Sequence, residues 1–217
     1  MSDNKRVNHL LLPARFDSET IRKTVLTNIT KMLRTRGYLD ENKWTDGKIR
    51  VSVKESRDDN IYVIPLDKKM VNLKAKNFDG SKVYVKLITQ KIKNTTNIPI
   101  ITEFIRDYNA FHKILIFEDI HDKVARFLKS DGKIEIFKQN QQMINLVDHD
   151  LCPKCTVLTS DEKAELKNTY GIDANKMQKM FENDPLSLYF ALKRGDVLKV
   201  RRDSVNTVYS VAYRVVI

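Results

Sequence analysis

Two cysteines and one histidine are the side chains whose spacing comes nearest to a metal or redox site. Cys152 and Cys155 are separated by two residues, and His149 lies three positions before them. Structural zinc commonly takes four ligands from two separated pairs, and this sequence has no second pair. A fourth ligand would have to come from a distant residue such as His121 or an acid. A thioredoxin-type pair begins a helix, whereas a turn containing Pro153 is expected here. We therefore predict two free thiols and no metal.

Metal-dependent DNA cleavage is the second chemistry to weigh. It needs an acid on one strand and a Glu/Asp-x-Lys pair on the next, to hold magnesium and activate water. Neither Glu55 nor Glu135 starts such a pair, and Asp67 with Lys69 has the spacing but follows Pro65 in an expected loop. The six glycines form no phosphate-binding loop, and none of the four histidines lies beside an evident nucleophile. The sequence predicts neither an enzyme nor a cofactor.

The charge of the chain is distributed unevenly. The 217 residues carry a net charge of +11. Residues 1–142 hold 28 Lys and Arg against 18 Asp and Glu, a net +10, whereas residues 143–217 hold 11 against 10, a net +1. A basic surface attracts nucleic acid, although scattered cations also serve solubility alone. No apolar run could span a bilayer or form a secretion signal, so we expect no membrane partner, and two cysteines fit a reducing compartment.

The first part of the chain alternates predicted helices and strands. A helix should start at Asp17 or Ser18 and end at Gly37, because one apolar face recurs at helical spacing. Its apolar residues are Ile21, Val25, Ile29, Met32 and Leu33. Strands are predicted at 49–53, 61–64, 83–88, 114–117 and 134–137, and helices at 99–108 and 124–128. This order predicts an α/β domain over residues 1–142.

A second domain, of the α+β class, is predicted over residues 143–217. The polar stretch 139–142 is expected to form the boundary. Beyond it, the sequence predicts strands at 143–147, 197–200 and 208–216, and helices capped by Thr159 or Ser160, over 174–181, and from Asp184 to about Leu192.

The C-terminal stretch carries a recognisable motif. Residues 184–200 read Asp-Pro-Leu-Ser-Leu-Tyr-Phe-Ala-Leu-Lys-Arg-Gly-Asp-Val-Leu-Lys-Val. This stretch resembles the fifth-largest subunit shared by the three eukaryotic nuclear DNA-directed RNA polymerases, and it is similar to the H-type small subunit of archaeal RNA polymerase. The positions that match are Asp184, Pro185, Tyr189, Lys193, Gly195, Val197, Lys199, Arg202, Ser204, Tyr213 and Arg214, with Asn145, His149, Leu151, Pro153 and Thr159 upstream.

A second resemblance lies near the N-terminus. Residues 21–25 and 36–39 are similar to the first helix of the eukaryotic subunit, and the archaeal counterpart lacks this N-terminal domain. Two departures limit what is carried over. The family's Arg-Pro-Ser-Glu-Thr turn appears as Arg-Asp-Ser-Val-Asn at 202–206, and Cys155 replaces a histidine. Divergence of this kind, in a chain rich in lysine and asparagine, fits a protist or a large DNA virus.

The resemblance implies a non-catalytic subunit of a multisubunit DNA-dependent RNA polymerase. It implies a jaw-like N-terminal domain with an inactive restriction-endonuclease-like fold, lying along downstream duplex DNA without reading its sequence. The C-terminal domain would dock on the largest subunit, and transcription factors would be further partners. The implied location is the nucleus for a cellular protein, or the virion or cytoplasmic virus factory for a viral one. A free-standing basic DNA-binding protein is the alternative.

The resemblance also names site residues. Those expected at the polymerase interface or in the family motif are His149, Pro153, Asp184, Pro185, Tyr189, Lys193, Gly195, Lys199, Arg202, Tyr213 and Arg214. Most of these also have a role in the fold, and Lys193, Lys199, Arg201 and Arg202 are the expected exposed interface residues. The residues expected near DNA are Lys23, Arg34 and Arg36.

Overall fold

A computed structural model describes the chain over residues 17–40, 52–53, 60–71, 78–88, 99–129, 132–204 and 206–217. It is a mixed α/β structure with two sheets, the first of five strands and the second of four. Among these residues, no helix is both long and apolar enough to cross a membrane. The strand predicted at 49–53 lies mostly outside the described ranges, which include only its last two residues.

The first helix, α1, covers Ser18–Thr35 as predicted. Its buried residues include Val25, Ile29, Met32 and Leu33, which recur every three to four positions and so lie on one face. Gly37 has a φ of +77°, a conformation that glycine adopts without a steric penalty and that ends the helix.

The first sheet has the strand order β1-β2-β3-β4-β5. Its strands are β1 (Ser52–Val53), β2 (Ile61–Pro65), β3 (Asp79–Ile88), β4 (Phe111–Phe117) and β5 (Ile134–Lys138). The first three strands are antiparallel neighbours, whereas β3, β4 and β5 are parallel. Each parallel connection contains a helix, α2 (Pro99–Asp107) and α3 (Asp122–Lys129), as parallel neighbours require.

Alternation along the strands builds a three-layer structure. Tyr62, Val85 and Ile114 point toward α1, and their chain neighbours point toward α2 and α3. Because successive side chains of a strand face opposite ways, apolar residues at consecutive positions bury both faces of the sheet. The sheet is therefore sandwiched between α1 and the α2–α3 pair.

The second sheet has the strand order β6-β8-β9-β7. Its strands are β6 (Lys154–Val157), β7 (Gln178–Met180), β8 (Val197–Ser204) and β9 (Val208–Val216). One face packs on α5 (Ser160–Tyr170) and the other on α6 (Pro185–Tyr189) and its flanking residues. Thr159 caps α5 through the predicted capping box with Glu162.

Two predictions of secondary structure are wrong. Residues 139–142, predicted only as a polar boundary, form a short helix, α4 (Gln139–Gln142). The predicted strand at 143–147 is a bend followed by a 3-10 turn at Leu146–Asp148. Met143, Leu146 and Val147 all pack on the cluster that contains α1, and their spacing of three and four residues fits a helical turn better than a strand. The predicted helix at 174–181 is a single 3-10 turn at Ala174–Lys176 and then β7, because Met180 enters the sheet core beside β9.

Candidate docking ribbon and the junction between the sheets

Strands β8 and β9 extend beyond the rest of their sheet. Strand β6 pairs with β8 only up to Arg201, and β7 pairs with β9 only from Arg214 onward. Residues 202–204 and 208–210 therefore have no further strand beside them among the residues that the structure describes. Together with the paired residues Arg201 and Val211 they form a two-stranded extension, here named the ribbon. An uncovered edge of this kind is available for pairing or docking.

The ribbon exposes apolar side chains. Val208, Tyr209 and Val211 are 79%, 47% and 40% exposed. Tyr209 and Val211 lie on one face of the ribbon, and Val208 lies on the other. Val208 also has a φ of +62°, which β-branched residues rarely adopt and which tends to persist at functional surfaces. These features distinguish the ribbon from the base of the same sheet, where Val197, Leu198, Val200, Val215 and Val216 are buried.

The ribbon also carries charge, mostly positive. Arg201 and Arg202 are exposed, and the Arg201 guanidinium lies 4.1 Å from the centre of the Tyr209 ring. Lys154 of β6 is the neighbour of Arg201 on the same face. Asp203 is the one acidic residue of the ribbon and lies opposite Tyr209.

Several motif residues build the fold. The Asp184 carboxylate caps α6 by accepting a hydrogen bond from the Leu186 N–H at 2.9 Å, and Pro185 occupies the first helical turn. Gly195 has a φ of +90° in the turn before β8, where the Lys193 N–H donates to the Asp196 carboxylate. The Lys193 side chain is exposed. These contacts account for the motif at this turn through local geometry.

The remaining predicted interface residues fall into two groups. His149 is exposed, and its Nδ1 accepts a hydrogen bond from the Leu151 N–H at 3.2 Å, while half-buried Pro153 precedes β6. Arg202 is exposed on the ribbon, whereas half-buried Lys199, Tyr213 and Arg214 lie at its base, with Lys199 opposite Tyr213 and Arg214 opposite Leu198. The structure thus brings these four together on two adjacent strands.

Tyr189 belongs to the interior, not to an exposed interface. Its side chain is buried in the cluster formed by α1 and the first sheet, and its hydroxyl donates to Thr35 Oγ1 at 3.3 Å. Burial raises the pKa of its phenol. The Tyr189 side chain thus crosses to α1 and joins the two halves of the chain.

Arg36 is the polar centre of the junction between the two sheets. Its guanidinium forms a two-bond ion pair with Glu135 of β5, at 2.9 and 2.8 Å. It also donates to the carbonyl oxygens of Tyr189 and Leu188, at 2.7 and 2.9 Å. The arginine side chain is 3% exposed and that of Glu135 is 20% exposed. One side chain therefore ties the end of α1 to both sheets.

Glu135 is held in its charged form. Burial alone would raise the pKa of its carboxyl, but the Arg36 guanidinium and a 2.8 Å hydrogen bond to His112 Nε2 outweigh burial and hold the pKa well below its usual range. Removing the Arg36 guanidinium would leave a poorly compensated charge at the junction.

The residues predicted to lie near DNA have different environments. Lys23 is exposed and forms an ion pair with Glu19 at 2.7 Å, and Arg34 is half-buried. The structure does not fit the prediction that Arg36 lies near DNA. Its guanidinium is enclosed and bound to Glu135 and two carbonyl oxygens, so it does not reach the surface. Arg36 therefore serves the junction.

The basic excess of residues 1–142 overstates the surface charge. Lys86, Lys113 and Lys133 are buried. The Lys113 ammonium donates to the Tyr108 and Phe111 carbonyls, and that of Lys133 to the Asn109 carbonyl, all at 3.0 Å. Lys113 and Lys133 thus stabilise the turn between α2 and β4 instead of facing solvent.

The described residues do not form the metal, redox or nuclease sites that were considered from the sequence. Burial, together with the nearby Cys152 thiol, raises the pKa of Cys155 to about 11. Raised values oppose the thiolate that metals and redox reactions need. Within the described ranges, no cluster of three or more His, Cys, Asp or Glu residues suits a metal. Asp67 accepts a hydrogen bond from the Asp40 N–H at 3.1 Å in a bend, and Glu55 lies outside those ranges.

A cavity of about 380 Å³ lies at the junction, lined by Ser187, His112 and Glu135 among others. These residue types also occur in hydrolase relays. His112 is bonded to Glu135, but the buried Ser187 hydroxyl has no hydrogen-bond partner among the described residues. Since the histidine does not reach the hydroxyl, the cavity presents no activated nucleophile.

The partners of Arg36 and the apolar ribbon were missed from the sequence. Glu135 interrupts an apolar strand at a position that shares a face with Phe137, and an acid at an inward position signals a buried partner. For the ribbon, the signal in the sequence was that apolar and polar residues do not alternate strictly from Val208 to Val211. Apolar residues therefore fall on both faces of the strand.

Comparison with known proteins supports the resemblance. Residues 144–216 match the family model for the RNA polymerase Rpb5 C-terminal domain. Over the full length of both chains, the sequence is 28% identical to DNA-directed RNA polymerase subunit 5 of Acanthamoeba polyphaga mimivirus. It is 26% identical to subunit RPABC1 of DNA-directed RNA polymerases I, II, and III of Caenorhabditis elegans, over 91% of this chain and 94% of that one. These matches confirm the similarity that the motif residues predicted, and they include a viral relative.

Proposed function

We propose, from the premise that residues 144–216 are an Rpb5 C-terminal domain in a chain similar throughout to RNA polymerase subunit 5, that this protein is a non-catalytic polymerase subunit. Its partners are then the other subunits of a multisubunit DNA-dependent RNA polymerase. The relatives are named as subunits of DNA-directed RNA polymerases. We expect the reaction and its magnesium to belong to the large subunits.

Docking on the largest subunit is assigned to the second sheet, within the predicted domain 143–217. The observation that carries this part is the ribbon, which exposes apolar side chains on both faces beyond the buried apolar residues at the base of the sheet. Exposed apolar surface next to cations is typical of protein contacts. Arg202 lies on the ribbon itself, and Lys199, Tyr213 and Arg214 lie at its base.

The first sheet and its helices are assigned to the DNA side, within the predicted domain 1–142. We infer a jaw-like module with an inactive restriction-endonuclease-like fold, lying along downstream duplex DNA. Exposed Lys23 and half-buried Arg34 on α1 support phosphate contacts, which position a protein without reading sequence. Transcription factors are further expected partners. The location follows the source, either the nucleus or, for a viral protein, the virion or virus factory.

Affinity purification of the tagged full chain from its native source tests the assignment. The expected result is recovery of the large polymerase subunits at fixed stoichiometry through washes of rising salt concentration. Recovery of the chain without any polymerase subunit would refute the proposal.

A free-standing DNA-binding protein would behave differently in the same preparation. It would bind duplex DNA alone, with an affinity that falls steeply as salt increases. The three buried lysines argue against that alternative, because they remove positive charge from the surface. We therefore expect weak binding of duplex DNA by the isolated chain in a salt titration.

A further inference from the structure

We propose that the polymerase surface receiving the ribbon is a groove with an apolar floor and carboxylates along its rim. We further propose that the stacked pair of Arg201 and Tyr209, with Val211, is the anchor. This inference rests on the proposed docking of the second sheet and specifies the chemistry of its partner.

The anchor is preformed in the isolated chain. Arg201 and Val211 are directly opposite each other on β8 and β9, and Tyr209 is the diagonal neighbour on the same face. The Arg201 guanidinium lies 4.1 Å from the Tyr209 ring centre, which holds both long side chains before any partner arrives. Tyrosine and arginine are the residue types most often dominant in protein interfaces, and a fixed arrangement lowers the entropy cost of binding.

The exposed valines of the ribbon require apolar contacts from the partner. Val208 and Val211 project from opposite faces of the ribbon, so a flat partner could cover only one of them. A groove that encloses the ribbon covers both. Moving the two valine side chains from water into an apolar groove would contribute favourably to the free energy of binding.

The positive charge around the anchor requires carboxylates at the rim of the groove. Arg201, Arg202 and Lys154 are exposed at this end of the sheet, and Asp203 is the one acid among the described ribbon residues. Lys199 at the base is already near Glu162 of α5, whose pKa is lowered mainly by hydrogen bonds from Thr159 and to a smaller extent by Lys199. The cations nearer the tip are therefore the ones left to meet an acidic partner.

The same geometry disfavours nucleic acid as the partner. Arg201 covers one face of the Tyr209 ring and so leaves a single face on which a base could stack. Asp203 lies directly opposite Tyr209 and would repel a phosphate brought to the ring. The valines offer no hydrogen bond to a sugar–phosphate chain.

Competition binding of the tagged full chain to polymerase lacking this subunit, purified from the native source, tests the anchor. We expect Tyr209→Ala and Val211→Lys each to weaken incorporation at least tenfold, and Val211→Ile to retain it. Arg201→Glu should weaken incorporation more than Arg201→Gln, because only the glutamate would repel the carboxylates. Lys179→Glu is the matched control, since Lys179 is exposed on β7 at the opposite edge of the same sheet. Unchanged thermal unfolding of the isolated variants would show that folding is intact.

The outcomes separate the inference from the function on which it rests. If wild-type chain does not enter the polymerase, the proposed function fails. If wild-type chain enters and the ribbon variants enter equally well, only the anchor is wrong. Equal effects of Arg201→Glu and Arg201→Gln would refute the acidic rim. Ribbon variants that lose duplex DNA or RNA binding while retaining subunit association would show a nucleic-acid surface and overturn the inference.

Discussion

Replacing Arg36 by methionine should destabilise the whole chain, because it removes the charged centre of the junction. The substitution keeps a long apolar side chain but removes the guanidinium from the Glu135 carboxylate and from the Tyr189 carbonyl, whereas the Leu188 carbonyl keeps the Ala191 N–H at 3.2 Å. Breaking a buried ion pair from one side costs about 3–5 kcal/mol. Glu135 keeps 20% exposure and its bond to His112, so the lower end, about 3 kcal/mol, is expected.

Urea unfolding followed by circular dichroism measures this loss. With a urea dependence of about 2 kcal/mol/M, the unfolding midpoint should fall by about 1.5 M. Lys31→Met is the matched control, since Lys31 reaches Asp148 across the same junction at 3.5 Å, with side-chain exposures of 26% and 60%. An exposed pair of this kind contributes at most about 1 kcal/mol.

A second substitution distinguishes a stranded charge from lost packing. Adding Glu135→Leu to Arg36→Met removes the uncompensated carboxylate, so we expect part of the lost stability to return. If Arg36→Met shifts the midpoint no more than Lys31→Met does, the buried ion pair does not hold the junction and the reasoning is refuted.

Three further predictions concern other parts of the chain. The depressed pKa of Glu135 contributes stability that is present above its unfolded pKa, about 4.3, and is lost as pH falls further. Denaturation at pH values from about 3 to 7 should therefore show a smaller acid loss for Glu135→Gln than for wild type, and parallel curves would contradict it. Gly80→Ala should cost about 3 kcal/mol or more in urea unfolding, because its Cβ would lie 2.0 Å from the Met70 carbonyl oxygen. The neighbouring Lys82→Ala is its control, and equal stability would show that the backbone yields freely. Lys23→Ala should reduce the salt dependence of downstream-DNA binding by the assembled polymerase by about 0.9 in log–log slope, with exposed Lys167→Ala as control. An unchanged slope would remove Lys23 from the DNA-proximal set.

Local patterns in the sequence determined most of the elements. The apolar spacing of α1, the capping box at Thr159 and Glu162, and the Asp184–Pro185 start of α6 each depend on residues within one or two turns. Such features are visible without tertiary contacts. The motif over 184–200 likewise indicated the family before the fold was known. Elements that depend on distant neighbours were misassigned, as β7 shows, because its three residues are fixed by pairing with β9.

The tertiary structure alone decided which charges face solvent and which join the halves. The composition suggested that Arg36, Lys86 and Lys113 contribute to a basic surface, yet all three side chains are enclosed. The sequence could not show this, because their partners are residues distant in the chain or carbonyl oxygens of a turn. The exposure of the ribbon was also hidden, because β6 and β7 stop short of it and strand lengths are set by pairing. A one-dimensional pattern records what each residue prefers, whereas burial depends on which distant segments pack against it.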